Sequence, residues 1–370
     1  MSTQKMFVSG LLLAALLLLI VPVTVAQDDP PAEPLIESAC LVTDIGRVND
    51  GTFNQFAFEG FTRAAEDFDI DTTFIETQAQ ADYVANIATC LDEGFEAIIT
   101  VGFLIQDATL EAAEANPDVF FIGVDQFYNE GAPANVVGLQ FREDQSGFLA
   151  GAMAALMTES GTVAGVYGVN VPAVIKFRNG YEQGARFINE DIITLGVYID
   201  SFTAPDRGAT AAEQFIGEGA DVIFGAGGQT GSGAITRAAQ EGVMVIGVDQ
   251  DEYFTTFGNG ETPGAENLIT SATKRVDQAV YLSLEALVMG DAEAFGGGGN
   301  RVFSAENEGV GLAPSHDAQV PQSVQDQLDE IFAGLADGSI ETGVDAVSGE
   351  LLDMMDEDPA EMEPTEEAGA

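Results

Sequence analysis

Short apolar runs alternate with helix-period segments from about residue 40 to residue 335, and the alternation occurs twice. That doubled rhythm constrains the fold more than any single motif. The pattern predicts strands at 40–43, 72–76, 97–101 and 119–124, with helices at 53–68, 83–92 and 106–115. It restarts with strands at 135–140, 162–167, 197–202, 222–225, 243–248 and 267–271. Helices are predicted at 147–157, 177–189, 209–217, 231–240 and 276–289. Short, mainly apolar strands separated by helices indicate parallel sheets covered on both faces. The expected class is therefore α/β, with two doubly wound, parallel-sheet lobes. After a Gly-rich loop at 296–299, short strands are predicted near 302–303 and 310–312, then a helix at 323–334.

The flanks read differently. Lys5 precedes an apolar run at 6–23, followed by Thr24, Val25, Ala26 and the polar Gln27-Asp28-Asp29. This predicts a secretory signal at 1–26; the alternative is a retained anchor, since the run is nearly long enough to span a bilayer. Residues 27–39 form an acidic, Pro-containing spacer, and 346–370 an acidic, disordered tail. Cys40 lies well beyond Ala26, which disfavours lipidation. The expected location is extracytoplasmic. There Cys40, opening a strand, and Cys90, on a helix of the same unit, either bridge or remain buried thiols.

Acidic residues number 61 and basic residues 12, for a net charge of −49. That excludes nucleic acid as a partner, because phosphate neutralisation needs clustered Lys and Arg. It also opposes docking on anionic lipid. With one histidine, His316, and no cysteine cluster of zinc spacing, no metal site is expected. No nucleophile elbow accompanies His316, so the chain is not read as an enzyme and no cofactor is expected.

Ligands of open parallel sheets bind beyond the carboxyl ends of the strands. Three of the strand ends carry an aspartate: Asp44, Asp125 and Asp249. Each can cap the next segment, but three together in both arrays favour a shared polar cleft. Carboxylates there accept hydrogen bonds from hydroxyl and amino groups, which suits a sugar or nucleoside better than an anion. Phe53 and Phe177, one in each array, can enclose a planar ring or be ordinary core. The run Gly225-Ala226-Gly227-Gly228-Gln229-Thr230-Gly231-Ser232-Gly233 fits neither phosphate-loop pattern. Its small residues are expected to let a ligand approach the backbone.

An ordered series of motifs resembles one family. Asp44-x-Gly46-x-x-x-Asp50-Gly51-Thr52-Phe53-Asn54 is similar to the opening signature of the basic membrane protein (PnrA-like) family, substrate-binding proteins of ABC importers that include purine nucleoside receptors. Phe148-Leu149-Ala150-Gly151-x-x-Ala154-Ala155, Phe177-x-x-Gly180-Tyr181-x-x-Gly184-Ala185, Ile246-Gly247-Val248-Asp249-x-Asp251 and Ser271-x-x-Lys274-Arg275 follow in order. The resemblance implies a type I periplasmic-binding fold with a three-crossover hinge. Lobe 1 is expected at 40–141 with 275–315, and lobe 2 at 142–274 with 316–345. It implies that Phe53 and Phe177 stack on a base, while Asp44, Asn54 and Asp107 face the base edge. Asp125 lies near the hinge. Gly228, Asp249 and Lys274 hold ribose hydroxyls, with Lys274 paired to Asp249. The implied partners are a nucleoside and an ABC permease, with the receptor a monomer. A sugar receptor or sensor of the same fold, or a nucleoside hydrolase, are the alternatives.

Overall fold

The computed structural model describes residues 33–352. The expected signal at 1–26, the spacer up to residue 32 and the tail from residue 353 lie outside the described residues. Residues 346–352, expected to open the disordered tail, are instead ordered: Leu351 bridges to Val344, and the Gly349 carbonyl accepts from Asn179 Nδ2 at 2.7 Å. The first array contains β1 (Ser38–Ile45), α1 (Phe53–Phe68), β2 (Asp71–Thr77), α2 (Tyr83–Asp92), β3 (Ala97–Val101), α3 (Gln106–Ala115), β4 (Phe120–Val124) and β5 (Val136–Phe141). The second contains α4 (Glu143–Met157), β6 (Thr162–Tyr167), α5 (Pro172–Ile188), β7 (Ile193–Tyr198), α6 (Pro205–Gly217), β8 (Val222–Ala226), α7 (Gly228–Gln240), β9 (Met244–Asp249) and β10 (Leu268–Lys274). Then follow α8 (Val276–Val288), α9 (Ala292–Phe295), β11 (Gly299–Phe303), β12 (Val310–Leu312) and α10 (Gln322–Asp337).

Two sheets result, ordered β11-β5-β4-β3-β1-β2 and β12-β10-β9-β8-β6-β7. The two orders are equivalent, strand for strand. All pairings are parallel except β12, which runs antiparallel to β10. Central strands β3, β5, β6 and β8 are buried at every position, while the edge strands β2 and β7 are largely half-exposed. The buried central strands match apolar runs covered on both faces.

The chain crosses between sheets three times: from β5 to β6, from β10 to β11 and from β11 to β12. The sequence reading kept residues up to 315 with the first lobe. Val310–Leu312 instead pairs with β10, so the last crossing falls before residue 310. A three-residue strand carries no alternation from which a partner can be read.

Two other differences matter for the site. The strand expected at 197–202 lies four residues earlier, pairing residue by residue with β6 from Ile193 to Tyr198. It ends because Asp200 turns into the left-handed region at φ 57°. The helix expected from Phe177 begins at Pro172, whose fixed φ suits a first helical turn.

The small-residue motif of α4 has a packing cause. A Cβ on Gly151 would strike the Tyr181 carbonyl oxygen, and one on Gly184 the Phe148 carbonyl oxygen. Helices α4 and α5 therefore cross at backbone contact. In the first lobe, Cys40 and Cys90 are bridged, with Cα atoms 5.9 Å apart, tying β1 to α2.

Candidate functional site

The carboxyl ends of both sheets face one cavity of about 730 Å³, its mouth included. Position follows from topology: β1 and β3, like β6 and β8, are neighbours whose connections diverge to opposite faces, leaving a crevice beyond their ends. Phe53 and Phe103 wall the cavity from the first lobe. Phe177, Phe202, Val171 and Val174 wall it from the second.

The structure brings Asp44, Phe53, Asn54, Asp125, Phe177, Gly228, Asp249 and Lys274 to this cavity. Asp107 is the exception and is corrected here: it is exposed and not part of the wall. The short turn Phe103–Ile105 after β3 places Phe103 and Leu104 inward, and the first turn of α3 carries Asp107 towards solvent. Phe202 was missed because the sequence reading buried it in a strand; the earlier end of β7 frees it for the wall.

Asn54 lines the cavity, yet its amide is engaged by the protein. Its Oδ1 accepts from the Asp44 backbone N–H at 3.0 Å, and its Nδ2 donates to Asp50 Oδ2 at 2.9 Å. Asp50 in turn accepts from the backbone N–H groups of Thr52, Asn54 and Gln55, closing the first turn of α1. Asn54 thus braces the loop that seats Phe53 rather than presenting a free base-reading edge.

Lys274 is 1% exposed. The expected pairing with Asp249 is not what the structure shows. Its Nζ lies 2.6 Å from Asp125 Oδ2 and 2.8 Å from Glu143 Oε1. Glu143 Oε2 lies 2.5 Å from Lys176 Nζ, which also donates to the Phe141 carbonyl at 2.7 Å. Two lysines and two carboxylates therefore form a buried chain where the crossovers run. Glu143 and Lys176 were missed as site-supporting residues. Glu143 stands two positions beyond Phe141, at the end of β5, which like the ends of β2, β7 and β10 is not among the strand ends read from the sequence.

Asp125 and Asp249 occupy equivalent strand ends in the two lobes, with φ of 60° and 65°. Aspartate tolerates this conformation better than most residues. Asp249 makes no side-chain hydrogen bond among the described residues. Burial pushes its carboxyl up to about 7, with Lys274 opposing. Burial raises Asp44 to about 6, against hydrogen bonds from Tyr83 and the Ile45 N–H. Burial alone would discharge Lys274, but Asp125, Glu143 and Asp249 hold it protonated above its ordinary range. Glu143, despite complete burial, is held below the usual carboxylate range by the two lysines. The cavity is thus rich in acceptors, with one ammonium at its base. It suits a neutral ligand with several donors and repels phosphate.

The glycine cluster has a mixed role. Gly227 and Gly228 line the cavity, as expected for close ligand approach. A Cβ on Gly227 would also strike the backbone of Gly168, so the two strand-end loops pack against each other there. His316 lies outside the cavity, 2.7 Å from Asp251 and stacked on Tyr253. Among the described residues no group of His, Cys, Asp and Glu could hold a metal ion, and no helix is long and apolar enough to cross a membrane.

The lobes are also joined by side chains outside the crossover segments. Gln250 Nε2 donates to the Gly51 carbonyl at 2.8 Å and to the Thr52 carbonyl at 3.3 Å. Thr255 Oγ1 donates to the same Gly51 carbonyl at 2.8 Å. The loop before α1 is thereby clamped to the loop after β9.

Comparison with known proteins gives concordant matches. Residues 38–334 match the family model described as ABC transporter substrate-binding protein, PnrA-like. Basic membrane protein A of Borreliella burgdorferi is 33% identical over 250 residues, covering 67% of this chain and 71% of that protein. The ABC transporter nucleoside-binding protein BmpA of Lactococcus lactis subsp. cremoris is 28% identical, covering 82% and 88%. Among solved structures, an ABC transporter solute-binding protein from Aeropyrum pernix K1 aligns with TM-score 0.70 at 24% identity, covering 82% of this chain and 92% of that one. This last likeness shows the shared two-lobed fold.

Proposed function

Because the chain belongs to the PnrA-like family of ABC transporter substrate-binding proteins, we propose that it binds a nucleoside, a purine nucleoside by preference, between its lobes and delivers it to an ABC permease. One observation carries the ligand assignment: each lobe contributes aromatic walls, Phe53 and Phe103 from one and Phe177 and Phe202 from the other, above a floor of carboxylates and one ammonium. Aromatic faces take a planar base. Asp125 Oδ1, buried without a hydrogen-bond partner among the described residues, and the unbonded Asp249 carboxyl take donors such as ribose hydroxyls. The Lactococcus relative, a nucleoside-binding protein by name, supports the same ligand class.

The working cycle is hinge closure about the three crossovers, with no covalent step and no cofactor. Like other importer receptors, it works outside the cytoplasm, and we read it as a monomer. The testing experiment is a thermal-shift and calorimetric screen of the protein against guanosine, inosine, adenosine, pyrimidine nucleosides, free bases, ribose, other sugars and nucleoside monophosphates. A ligand at 100 times its dissociation constant stabilises by ~2.7 kcal/mol. Stabilisation by intact nucleosides, with monophosphates excluded by the acidic cavity, is the expected result. Stabilisation by sugars alone overturns the nucleoside assignment, and release of free base would make the protein a hydrolase.

A further inference from the structure

We propose that Tyr83 is a positioning residue of the binding site, whose hydroxyl holds the Asp44 carboxylate ionised and aimed into the cavity, and that the Cys40–Cys90 bridge sets the helix register that delivers it. The proposal deepens the nucleoside reading and rests on it.

Helix α2 lies along β1. Cys40, Val42 and Asp44 alternate onto one face of the strand, and Tyr83, Ile87 and Cys90 form one stripe of the helix. Cys40, Val42, Tyr83, Ile87 and Cys90 share one buried cluster. The contact is closed at both ends: by the disulfide at one, and by the Tyr83 hydroxyl donating to Asp44 Oδ1 at the other. Four strand residues span roughly 13 Å, and seven helical residues roughly 10 Å. The two tethers therefore lie at matching separations on two rigid elements, and neither can slide without the other.

The hydroxyl also decides what Asp44 offers the ligand. Oδ1 is occupied by Tyr83 and by the Ile45 N–H at 2.7 Å. Oδ2 has no partner among the described residues, and Asp44 lines the cavity. One oxygen is thus anchored and the other is left as an acceptor for a ligand N–H or O–H. Tyr83 itself is 4% exposed and outside the wall, so it acts only through Asp44. The charges facing Asp44 are Asp50, from the loop before α1, and Asp125, at the end of β4; both oppose its ionisation, as does burial. Against these, the hydroxyl bond favours the charged form.

The test is Tyr83→Phe, which keeps the buried ring and removes one oxygen. Affinity for guanosine and inosine is measured from pH 5 to pH 8. The acid-side midpoint should rise by about one unit, lowering affinity at pH 6 by about fivefold, with the melting curve little changed. An unmoved midpoint overturns the assignment of Tyr83. Cys40→Ala with Cys90→Ala should weaken binding in the natural background and add nothing once Tyr83→Phe is present. Fully additive losses would overturn the link between bridge and hydroxyl. The Asp44 carboxyl titration, followed by carbon NMR of ligand-free protein and assigned with Asp44→Asn, decides the role of Tyr83 without any ligand. Failure of every nucleoside to bind would thus strike the functional reading alone.

Discussion

Replacing Gln250 by alanine should weaken ligand binding about tenfold, and should do so through the dissociation rate. The Gln250 side chain does not line the cavity; it joins the lobes by donating to the carbonyls of Gly51 and Thr52 at 2.8 and 3.3 Å. When the lobes part, the amide and both carbonyls return to water. The difference is then the net worth of neutral hydrogen bonds, ~0.5–1.5 kcal/mol each. Counting the short bond fully and the long one in part gives about 1.5 kcal/mol, and 1.4 kcal/mol is tenfold in an equilibrium constant. Ligand enters the open form, in which these bonds do not exist, so the association rate should hold. Escape requires opening, so dissociation should quicken by about the same tenfold. Surface-plasmon kinetics on immobilised protein separate the two rates, and small-angle scattering reports the loss of closure. An unchanged dissociation rate, or a loss confined to association, would refute the clamp.

Three further outcomes follow from the buried charges. Asp249→Asn should leave folding intact, since the carboxyl makes no side-chain hydrogen bond among the described residues, but should lower affinity by at least tenfold in calorimetry; retention of natural affinity would remove Asp249 from the site. Lys274→Met should destabilise the protein by ~3–5 kcal/mol, because Asp125 and Glu143 are left buried beside a missing charge. A denaturant midpoint unchanged by Lys274→Met would show that the pair is not coupled as drawn. Finally, burial raises Asp44, Asp249 and Glu252 (a buried residue after β9 that accepts from the Val248 N–H at 3.0 Å) to about 6, 7 and 7, above the ~4 of an unfolded chain. The native state therefore binds more protons than the unfolded state between about pH 4 and 7, and stability rises as pH falls through that window. Ligand-free protein should melt higher at pH 5.5 than at pH 8, whereas stabilisation by ligand should grow towards pH 8 as the carboxylates ionise; a melting temperature that instead climbs towards pH 8 without ligand would contradict the burial of these groups.

Much of the site was legible because strand ends in a parallel sheet are marked by where an apolar run stops. Asp44, Asp125 and Asp249 each follow such a run directly, and all three reach the cavity. Phe53 and Phe177 stood near helix starts on the same side of the sheets. What failed depended on a boundary or a contact. Phe202 was hidden by a strand placed four residues late, and Asp107 was drawn inward by a resemblance although the turn before α3 directs it outward. Lys274 was paired with Asp249 by the resemblance, whereas its partners are Asp125, at the end of β4, and Glu143, where the chain first crosses between sheets.

The sequence by itself determined the architecture: short, mainly apolar strands and amphipathic helices in two successive arrays admit few arrangements other than two helix-covered parallel sheets. It also determined which residue types stand at the strand ends, and the net charge that disfavours phosphate. Only the tertiary structure decided which of those residues face one another. Pairing of Lys274, bridging of Cys40 to Cys90, the support of Asp44 by Tyr83 and the clamp on Gly51 all join segments 39 to 204 residues apart. Local periodicity reports the burial of a side chain against its own sheet. It holds no record of the distance between two such surfaces, which is set when the crossovers bring the lobes together.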